Sequence, residues 1–170
     1  MGKVYVAESR IHGQGVFAAV TLKPGEPVIV LDDSREVTPE DPLRPEDGEH
    51  RRFCDFLMGG RVVLMQPPER YINHSCSPNV FVKTFDGLRY VIALKMIYMT
   101  EELTFDYCIN SRGDTLWLCN CGSPRCRHTV HSNFFQLPFL LQLEYLPLLD
   151  TWFVRENQDQ IQALLQKALR

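Results

Sequence analysis

The clearest chemistry in the sequence lies in three closely spaced cysteines, Cys119, Cys121 and Cys126. They form a C-x-C-x4-C pattern, and residues 122–124 between them are Gly-Ser-Pro, which suits a tight loop around a metal ion. Structural zinc sites take four ligands, so three thiolates are one short of a closed tetrahedral site. The spacing therefore predicts a zinc site whose fourth ligand comes from elsewhere in the chain, with buried free thiols as the alternative.

A second polar cluster spans residues 70–79, Arg-Tyr-Ile-Asn-His-Ser-Cys-Ser-Pro-Asn, and lies between apolar stretches. An unpaired polar group in a buried position costs about 1–3 kcal/mol, so these side chains need partners. The cluster contains a thiol, Cys76, and an Asn-His pair, Asn73 and His74. A third motif, Glu-Leu-Thr-Phe-Asp-Tyr at residues 102–107, lies between the two clusters in the sequence.

Together, the three motifs resemble those of the SET-domain protein lysine methyltransferases. The resemblance begins at the Gly-Gln-Gly turn of residues 13–15 and extends to the cysteine cluster, which is similar to a post-SET zinc motif. It implies a mainly β SET fold, made of small β-sheets with a C-terminal pseudoknot, followed by a zinc-bound post-SET segment and C-terminal α-helices. It also implies a structural Zn²⁺ bound by Cys76, Cys119, Cys121 and Cys126.

The resemblance further implies that S-adenosylmethionine, the methyl donor, binds near the glycine turn and the Asn-His pair. In the family this turn brings the backbone against the methionine part of the cofactor, because glycine permits a close approach. An aromatic residue after the cysteines often packs on the adenine; Phe134 and Phe135 are candidates, and core packing accounts equally well for each. The predicted cofactor contacts are His12, Gly13, Gln14, Gly15, Asn73, His74, Tyr107 and Phe135.

The implied reaction transfers methyl groups to the ε-amine of a protein lysine. With a free pKa of about 10.4, that amine is neutral at pH 7 only at a cost of about 4–5 kcal/mol, and no general base stands out in the motifs. An apolar channel lowers this pKa by desolvation, and Tyr71, Phe105 and Tyr107 are predicted to form its walls. Tyr107 matches the catalytic tyrosine of the family, and Phe105 is predicted to favour di- or trimethylation.

Two other functions stay open at this point. The first is a SET module that has lost activity and acts in binding, although Asn73, His74 and Tyr107 are intact. The second is methylation of a substrate other than protein lysine. Residues 13–18, Gly-Gln-Gly-Val-Phe-Ala, also match a dinucleotide-binding fingerprint, which requires a following helix. Residues 16–21 are rich in β-branched and aromatic side chains and predict a strand instead.

Strands must position these motifs, and the apolar patterns predict several of them. Asp86-Gly87 stands between two apolar runs, which is a strong signal for a β-hairpin. Alternation and β-branched composition indicate the remaining strands. The predicted strands are residues 3–7, 16–21, 27–31, 62–65, 80–84 and 89–93.

The chain is predicted to divide into a SET domain at 1–109, a post-SET zinc segment at 110–130 and a helical C-terminal extension at 131–170. Residues 32–52 are rich in acidic residues and proline and predict an irregular insertion, either a surface loop or an acidic lip that attracts a basic substrate. Apolar residues of 161–169 follow the i, i+3, i+4, i+7, i+8 pattern of an amphipathic helix. The C-terminal helices either pack on the domain or form a homodimer or partner surface.

Bulk properties limit the classes of protein to consider. A chain of 170 residues with 45% hydrophobic content predicts one domain plus an appendage. A net charge of -3 gives no general nucleic-acid footprint. No stretch approaches the roughly 20 apolar residues of a membrane span, and the N-terminus lacks the apolar region of a signal peptide. The expected protein is soluble and intracellular, cytoplasmic or nuclear, with a lysine-bearing protein or peptide as its partner.

Overall fold

A computed structural model describes residues 2–169 and has a mainly β architecture. Small sheets contain all the strands, and a group of short helices follows them. The strands are β1 (Val4–Glu8), β2 (Gln14–Ala18), β3 (Pro27–Val30), β4 (Cys54–Phe56), β5 (Val62–Leu64), β6 (Asn73–His74), β7 (Val80–Phe85), β8 (Leu88–Ala93), β9 (Glu102–Phe105), β10 (Arg112–Leu118) and β11 (Thr129–Asn133). The α-helices are α1 (Phe139–Tyr145), α2 (Thr151–Glu156) and α3 (Gln158–Ala168).

The first sheet brings two of the sequence motifs side by side. Its strand order is β1-β2-β9-β6, and β2 is antiparallel to both β1 and β9. β6 runs parallel to β9, with Asn73 opposite Thr104 and His74 opposite Phe105. The Asn-His pair therefore lies directly beside the Phe105–Tyr107 stretch, although some thirty residues separate them in the chain. β2 is a strand, as its composition predicted, and no helix follows the glycine turn.

The predicted hairpin is confirmed as β7 and β8, which pair in register from Val80 opposite Ala93 to Phe85 opposite Leu88. Asp86 and Gly87 have φ angles of 49° and 79°. Two successive left-handed residues characterise the type I′ turn, whose twist matches that of the strands. β3 pairs with β8 and completes the sheet β3-β8-β7, while β4 and β5 form a separate two-stranded sheet.

Residues 32–52 form a loop organised around one arginine. The loop contains two short 3-10 turns, and the Arg35 guanidinium binds both carboxylate oxygens of Glu49, at 2.9 and 2.8 Å, and lies 3.0 Å from Asp41. The hydrogen bonds from Arg35 lower the pKa of Glu49 to about 2. Arg35 thus neutralises two of the acids in this loop, and the acidic lip stays a prediction.

The C-terminal helices pack on the β domain. Leu141, Tyr145 and Phe153 are buried in the same apolar cluster as Cys76 and Cys108 of the β domain. This packing explains the helices without a second chain, and a homodimer through them stays a prediction, as does the division of the chain at 109 and 130.

The amphipathic stripe predicted for the last helix is only partly correct. Ile161 and Leu164 of α3 are buried, but Leu165 is 46% exposed and Leu169 is 88% exposed. Asn157, Ile161 and Leu164 form a narrow buried row at i, i+4 and i+7, so α3 contacts the fold through one side only. Among the described residues, no helix is long and apolar enough to cross a membrane.

Candidate active site and metal centre

The structure brings Cys76 together with the three clustered cysteines. The Sγ atoms of Cys76, Cys119, Cys121 and Cys126 all lie within 4.8 Å of one another, and the Cys76–Cys119 pair is 3.9 Å apart. Zn–S bonds of about 2.3 Å in a tetrahedron separate the sulfurs by about 3.8 Å. The four thiols therefore fit a tetrahedral metal ion of zinc's size, with no position left open for a substrate.

Backbone amides and burial prepare this cluster for a cation. The N–H of Arg127 donates to the Cys76 sulfur at 3.4 Å, and the N–H of Cys76 donates to the Cys121 sulfur at 3.5 Å. Burial opposes ionisation of Cys121, but hydrogen bonds from Cys76, Ser123 and the neighbouring thiols outweigh it and lower its pKa to about 7. Burial raises the pKa of Cys119, so a bound cation is what allows four adjacent thiolates.

His74 connects the cysteine cluster to the Tyr107 backbone. Its Nδ1 accepts the Tyr107 N–H at 3.2 Å, and its Nε2 lies 3.4 Å from the Cys76 sulfur. Because Nδ1 accepts, the proton of the neutral ring is on Nε2 and points at the sulfur. Burial lowers the pKa of His74 to about 4 and outweighs the opposing effect of Asp106, so the ring is neutral at pH 7.

Tyr107 has a fixed hydroxyl and an aromatic surround. The hydroxyl donates to the Ile72 carbonyl at 2.9 Å, and the ring lies 4.8 Å from the Phe105 ring and 5.2 Å from the His74 ring, centroid to centroid. Desolvation raises the pKa of Tyr107 to about 12, so the phenol stays protonated. The side chain is nevertheless 37% exposed, which leaves it accessible to a ligand.

A buried ion pair anchors the residue before Tyr107. Asp106 has no exposed surface, and Arg127 binds both of its carboxylate oxygens, at 2.6 and 2.9 Å. The Tyr145 hydroxyl of α1 lies 3.3 Å from the same carboxylate. Burial works against the charged form, but Arg127 outweighs it and the pKa of Asp106 is lowered. Asp106 thus joins the catalytic motif, the cysteine segment and α1.

Asn73 holds the glycine turn. Its side-chain Nδ2 lies 3.1 and 3.0 Å from the carbonyls of His12 and Gln14 and 2.9 Å from the Glu102 carboxylate, so its two protons are shared among these three acceptors. Gly13 has a φ of +50°, and a Cβ on Gly15 would lie 2.4 Å from a Glu102 oxygen. The second glycine therefore leaves the space that the Glu102 carboxylate occupies, and a side chain there would displace it from Asn73 and Ser9, a role that the sequence did not indicate.

The three predicted channel residues lie close to one another. Tyr71 and Phe105 pack against the same buried cluster, and Phe105 contacts Tyr107. Tyr71 is also the residue before Ile72, whose carbonyl accepts the hydrogen bond from the Tyr107 hydroxyl. The Arg70 guanidinium donates to the Tyr71 hydroxyl at 2.9 Å and so fixes the orientation of that ring. The three aromatic rings thus lie together, and the channel predicted between them stays a prediction.

Phe135 lies in the helical layer. Its ring stacks on Phe153, with centroids 5.9 Å apart and planes 17° apart, and it contacts Phe134 edge-on.

Trp117 is the aromatic residue of the cysteine segment that contacts His74. The two ring centroids are 5.2 Å apart and the ring planes are perpendicular, at 90°. Trp117 was missed by the sequence reasoning. The sequence carried no signal for it, because Leu116, Trp117 and Leu118 are all apolar; only the structure shows that the two leucines are exposed, by 55% and 79%, while Trp117 turns inward.

Comparison with known proteins identifies the domain type. The family model described as SET domain matches residues 13–108. A Drosophila virilis protein named histone-lysine N-methyltransferase trithorax is 33% identical over 141 residues, which cover 73% of this chain and 4% of that protein. The human histone-lysine N-methyltransferase 2B is 34% identical over 148 residues, covering 75% of this chain and 5% of its own length.

Solved structures share the fold. A crystallised chain from Plasmodium falciparum superposes with a TM-score of 0.50 at 21% identity, covering 63% of this chain and 94% of that one. A Chaetomium thermophilum Polycomb Repressive Complex 2 chain, in a humanized mutant bound to an inhibitor, gives a TM-score of 0.51 at 28% identity, covering 62% and 15%. This chain spans about a twentieth of the length of the two curated relatives named above. The family match covers more than half of the chain, and the glycine turn, Asn73, His74 and Tyr107 converge in the sheet it contains, so this chain belongs to the SET domain family.

Proposed function

We propose that this chain is a protein-lysine N-methyltransferase domain that uses S-adenosylmethionine. The observation that carries the proposal is the convergence of Asn73, His74 and Tyr107 on the parallel pair β6–β9, beside the glycine turn. A turn with a left-handed glycine, held by the Asn73 amide, offers backbone groups to a ligand. A partly exposed tyrosine whose hydroxyl has a fixed direction offers a way to orient a reacting amine.

S-adenosylmethionine, when bound, supplies an electrophilic methyl group on a positively charged sulfur. The residues proposed to hold it include the glycine turn and two members of β6. Trp117 is added to this set because it contacts both His74 and Tyr107. The proposed contacts are His12, Gly13, Gln14, Gly15, Asn73, His74, Tyr107 and Trp117. Phe135 is better explained by its stacking on Phe153.

The site deprotonates its substrate without a dedicated base. The nearby titratable groups are all engaged: Asp106 is bound by Arg127, the Glu102 carboxylate accepts from Asn73 and Ser9, the Nδ1 of His74 accepts a backbone N–H, and the Tyr107 phenol is protonated. An apolar wall favours the neutral amine by desolvation, and a neighbouring positive charge favours it further. Tyr71 and Phe105 provide that wall, and the proton of the amine is lost to solvent.

We assign the four-cysteine cluster to structural zinc. Four soft ligands in a closed set match the chemistry of structural zinc sites, which take no part in bond making. The ion would tie the β10–β11 hairpin, which carries Trp117, to Cys76 at the end of β6. His74 donates to one of these sulfurs, so the metal also fixes the ring that accepts the Tyr107 N–H.

We further propose that the wild type adds two or three methyl groups. Phe105 lies 4.8 Å from Tyr107 and has no hydroxyl with which to anchor a water molecule. A water held beside the amine would occupy the space that a second methyl group needs. Without that anchor the methylated amine can turn and react again.

A turnover assay separates this function from its rivals. The protein is incubated with isotopically labelled S-adenosylmethionine and a peptide array in which each lysine is matched by an arginine variant. Label on lysine peptides alone, with an initial rate reduced tens-fold or more in Tyr107→Phe, is the expected result. Binding of cofactor without turnover would favour a binding module, and label that persists on the arginine peptides would favour a different substrate class.

A further inference from the structure

The Glu102 carboxylate lies between the glycine turn and the Asn-His strand. It accepts hydrogen bonds from the Asn73 amide at 2.9 Å and from the Ser9 hydroxyl, which lies 2.8 and 2.9 Å from its two oxygens. Ser9 Oγ in turn accepts the Ile11 N–H at 2.9 Å, so the Ser9 proton must point at Glu102. Gly15 leaves the space that the carboxylate fills.

These contacts describe an ionised carboxylate without a counter-ion. An amide and a hydroxyl both donate to it, and a charged carboxylate only accepts. None of the Lys, Arg and His nitrogens described for residues 2–169 lies within 4.0 Å of Glu102. The acids around Arg35 and the Asp106 carboxylate have such a partner. Glu102 is therefore a half-buried negative charge for which residues 2–169 supply no cationic partner.

The charge acts on the active site. Glu102 adds to the desolvation that raises the pKa of Tyr107, which places the carboxylate within electrostatic range of the phenol. The other side of the carboxylate borders the turn of residues 12–15 through Asn73. Its field thus covers the space between the proposed cofactor contacts and the proposed catalytic tyrosine.

We propose that Glu102 is a specificity-determining residue that makes this site prefer the cationic methyl donor over its neutral product. The inference rests on the proposed function. S-adenosylmethionine has a sulfonium and S-adenosylhomocysteine a neutral thioether, while the two molecules are otherwise the same apart from one methyl group. A carboxylate without a counter-ion attracts the first and is indifferent to the sulfur of the second, so it favours substrate binding and product release.

Isothermal titration calorimetry with the two ligands tests this inference on the zinc-loaded chain. Glu102→Gln keeps the shape of the side chain and an oxygen acceptor but removes the charge. Glu101→Gln is the matched control, because it removes one negative charge from the neighbouring, exposed residue, which binds the Tyr98 N–H. At an effective dielectric constant of about 20, a carboxylate and a sulfonium roughly 10 Å apart attract each other strongly enough to change the affinity for the cationic ligand about tenfold.

We expect Glu102→Gln to reduce the preference for S-adenosylmethionine over S-adenosylhomocysteine about tenfold, and Glu101→Gln to leave it within about twofold. Equal weakening of both ligands, or no change in either, would overturn the inference and reduce Glu102 to a support for the turn. If the wild type binds neither ligand, both this inference and the proposed function are refuted.

Glu102→Asp covers the case in which the Gln variant does not fold. It keeps the charge on a shorter side chain, so both ligands should bind more weakly while the preference is retained. Loss of the preference in this variant would contradict an electrostatic role.

Discussion

Breaking the ion pair between Arg127 and Asp106 should be among the most destabilising single substitutions in this domain. Asp106 has no exposed surface, the Arg127 side chain is 14% exposed, and two short hydrogen bonds join them. Removing one partner of a buried pair leaves an uncompensated charge and costs about 3–5 kcal/mol. Arg127→Met, which preserves the aliphatic stem, should therefore lower the free energy of unfolding by that amount.

The chain provides a matched control two residues away. Arg125 binds both oxygens of Glu144, at 2.8 and 2.7 Å, but the two side chains are 52% and 50% exposed. Exposed ion pairs contribute about 0–1 kcal/mol, so Arg125→Met should have little effect. Urea denaturation of the zinc-loaded proteins, followed by circular dichroism, measures both changes. Similar losses in the two variants would refute the reasoning that burial decides the magnitude.

A second substitution tests the cause of the loss. Combining Arg127→Met with Asp106→Asn removes the stranded charge, so the double variant should be more stable than Arg127→Met alone.

The contribution of Asp106 to the free energy of unfolding depends on pH with a definite sign. The folded pKa of Asp106 is depressed, so its contribution is fully present above the unfolded value of about 3.9 and is lost as the pH falls through the folded pKa. A wild-type protein that keeps its full stability in strong acid would contradict the assignment.

Three further predictions concern catalysis and metal binding. Tyr107→Phe should bind the cofactor normally in calorimetry but lose tens-fold or more in rate, about 2 kcal/mol or above, and full activity would remove Tyr107 from the mechanism. Elemental analysis should find one zinc per chain, and chelation should loosen residues from about Trp117 onward in hydrogen exchange and abolish turnover, whereas a metal-free protein with full activity would contradict this. Phe105→Tyr should shift the products towards monomethyl-lysine in mass spectra taken to completion, because one hydrogen bond of about 1–1.5 kcal/mol changes a rate ratio about tenfold. An unchanged product distribution would leave Phe105 as packing.

The sequence was informative wherever local chemistry dictates the structure. Asp86-Gly87 predicts a tight hairpin because few residue pairs tolerate two left-handed conformations in succession, and the hairpin is present. The β-branched run after Gly15 predicts a strand, and β2 is one. The C-x-C-x4-C spacing indicates thiolates that can share one ion, and the three sulfurs do lie together. Each of these features depends on residues within ten positions of one another.

The tertiary structure decided which distant residues meet. Cys76 reaches the cysteine cluster across more than forty residues because β6 pairs with β9, and no local pattern encodes that pairing. Trp117 and Phe135 are both aromatic residues beside the cysteines, yet packing sends the first to His74 and the second to Phe153.

Charge pairing was equally hidden from the sequence. Composition predicted either a surface loop or an acidic lip for residues 32–52 and could not show that Arg35 binds two of its acids, or that no described cationic side chain pairs with Glu102 near the active site. Residue type and spacing determine local conformation and the kind of chemistry available. The pairing of strand edges and the burial of side chains determine which charges meet, because those depend on contacts between residues far apart in the chain.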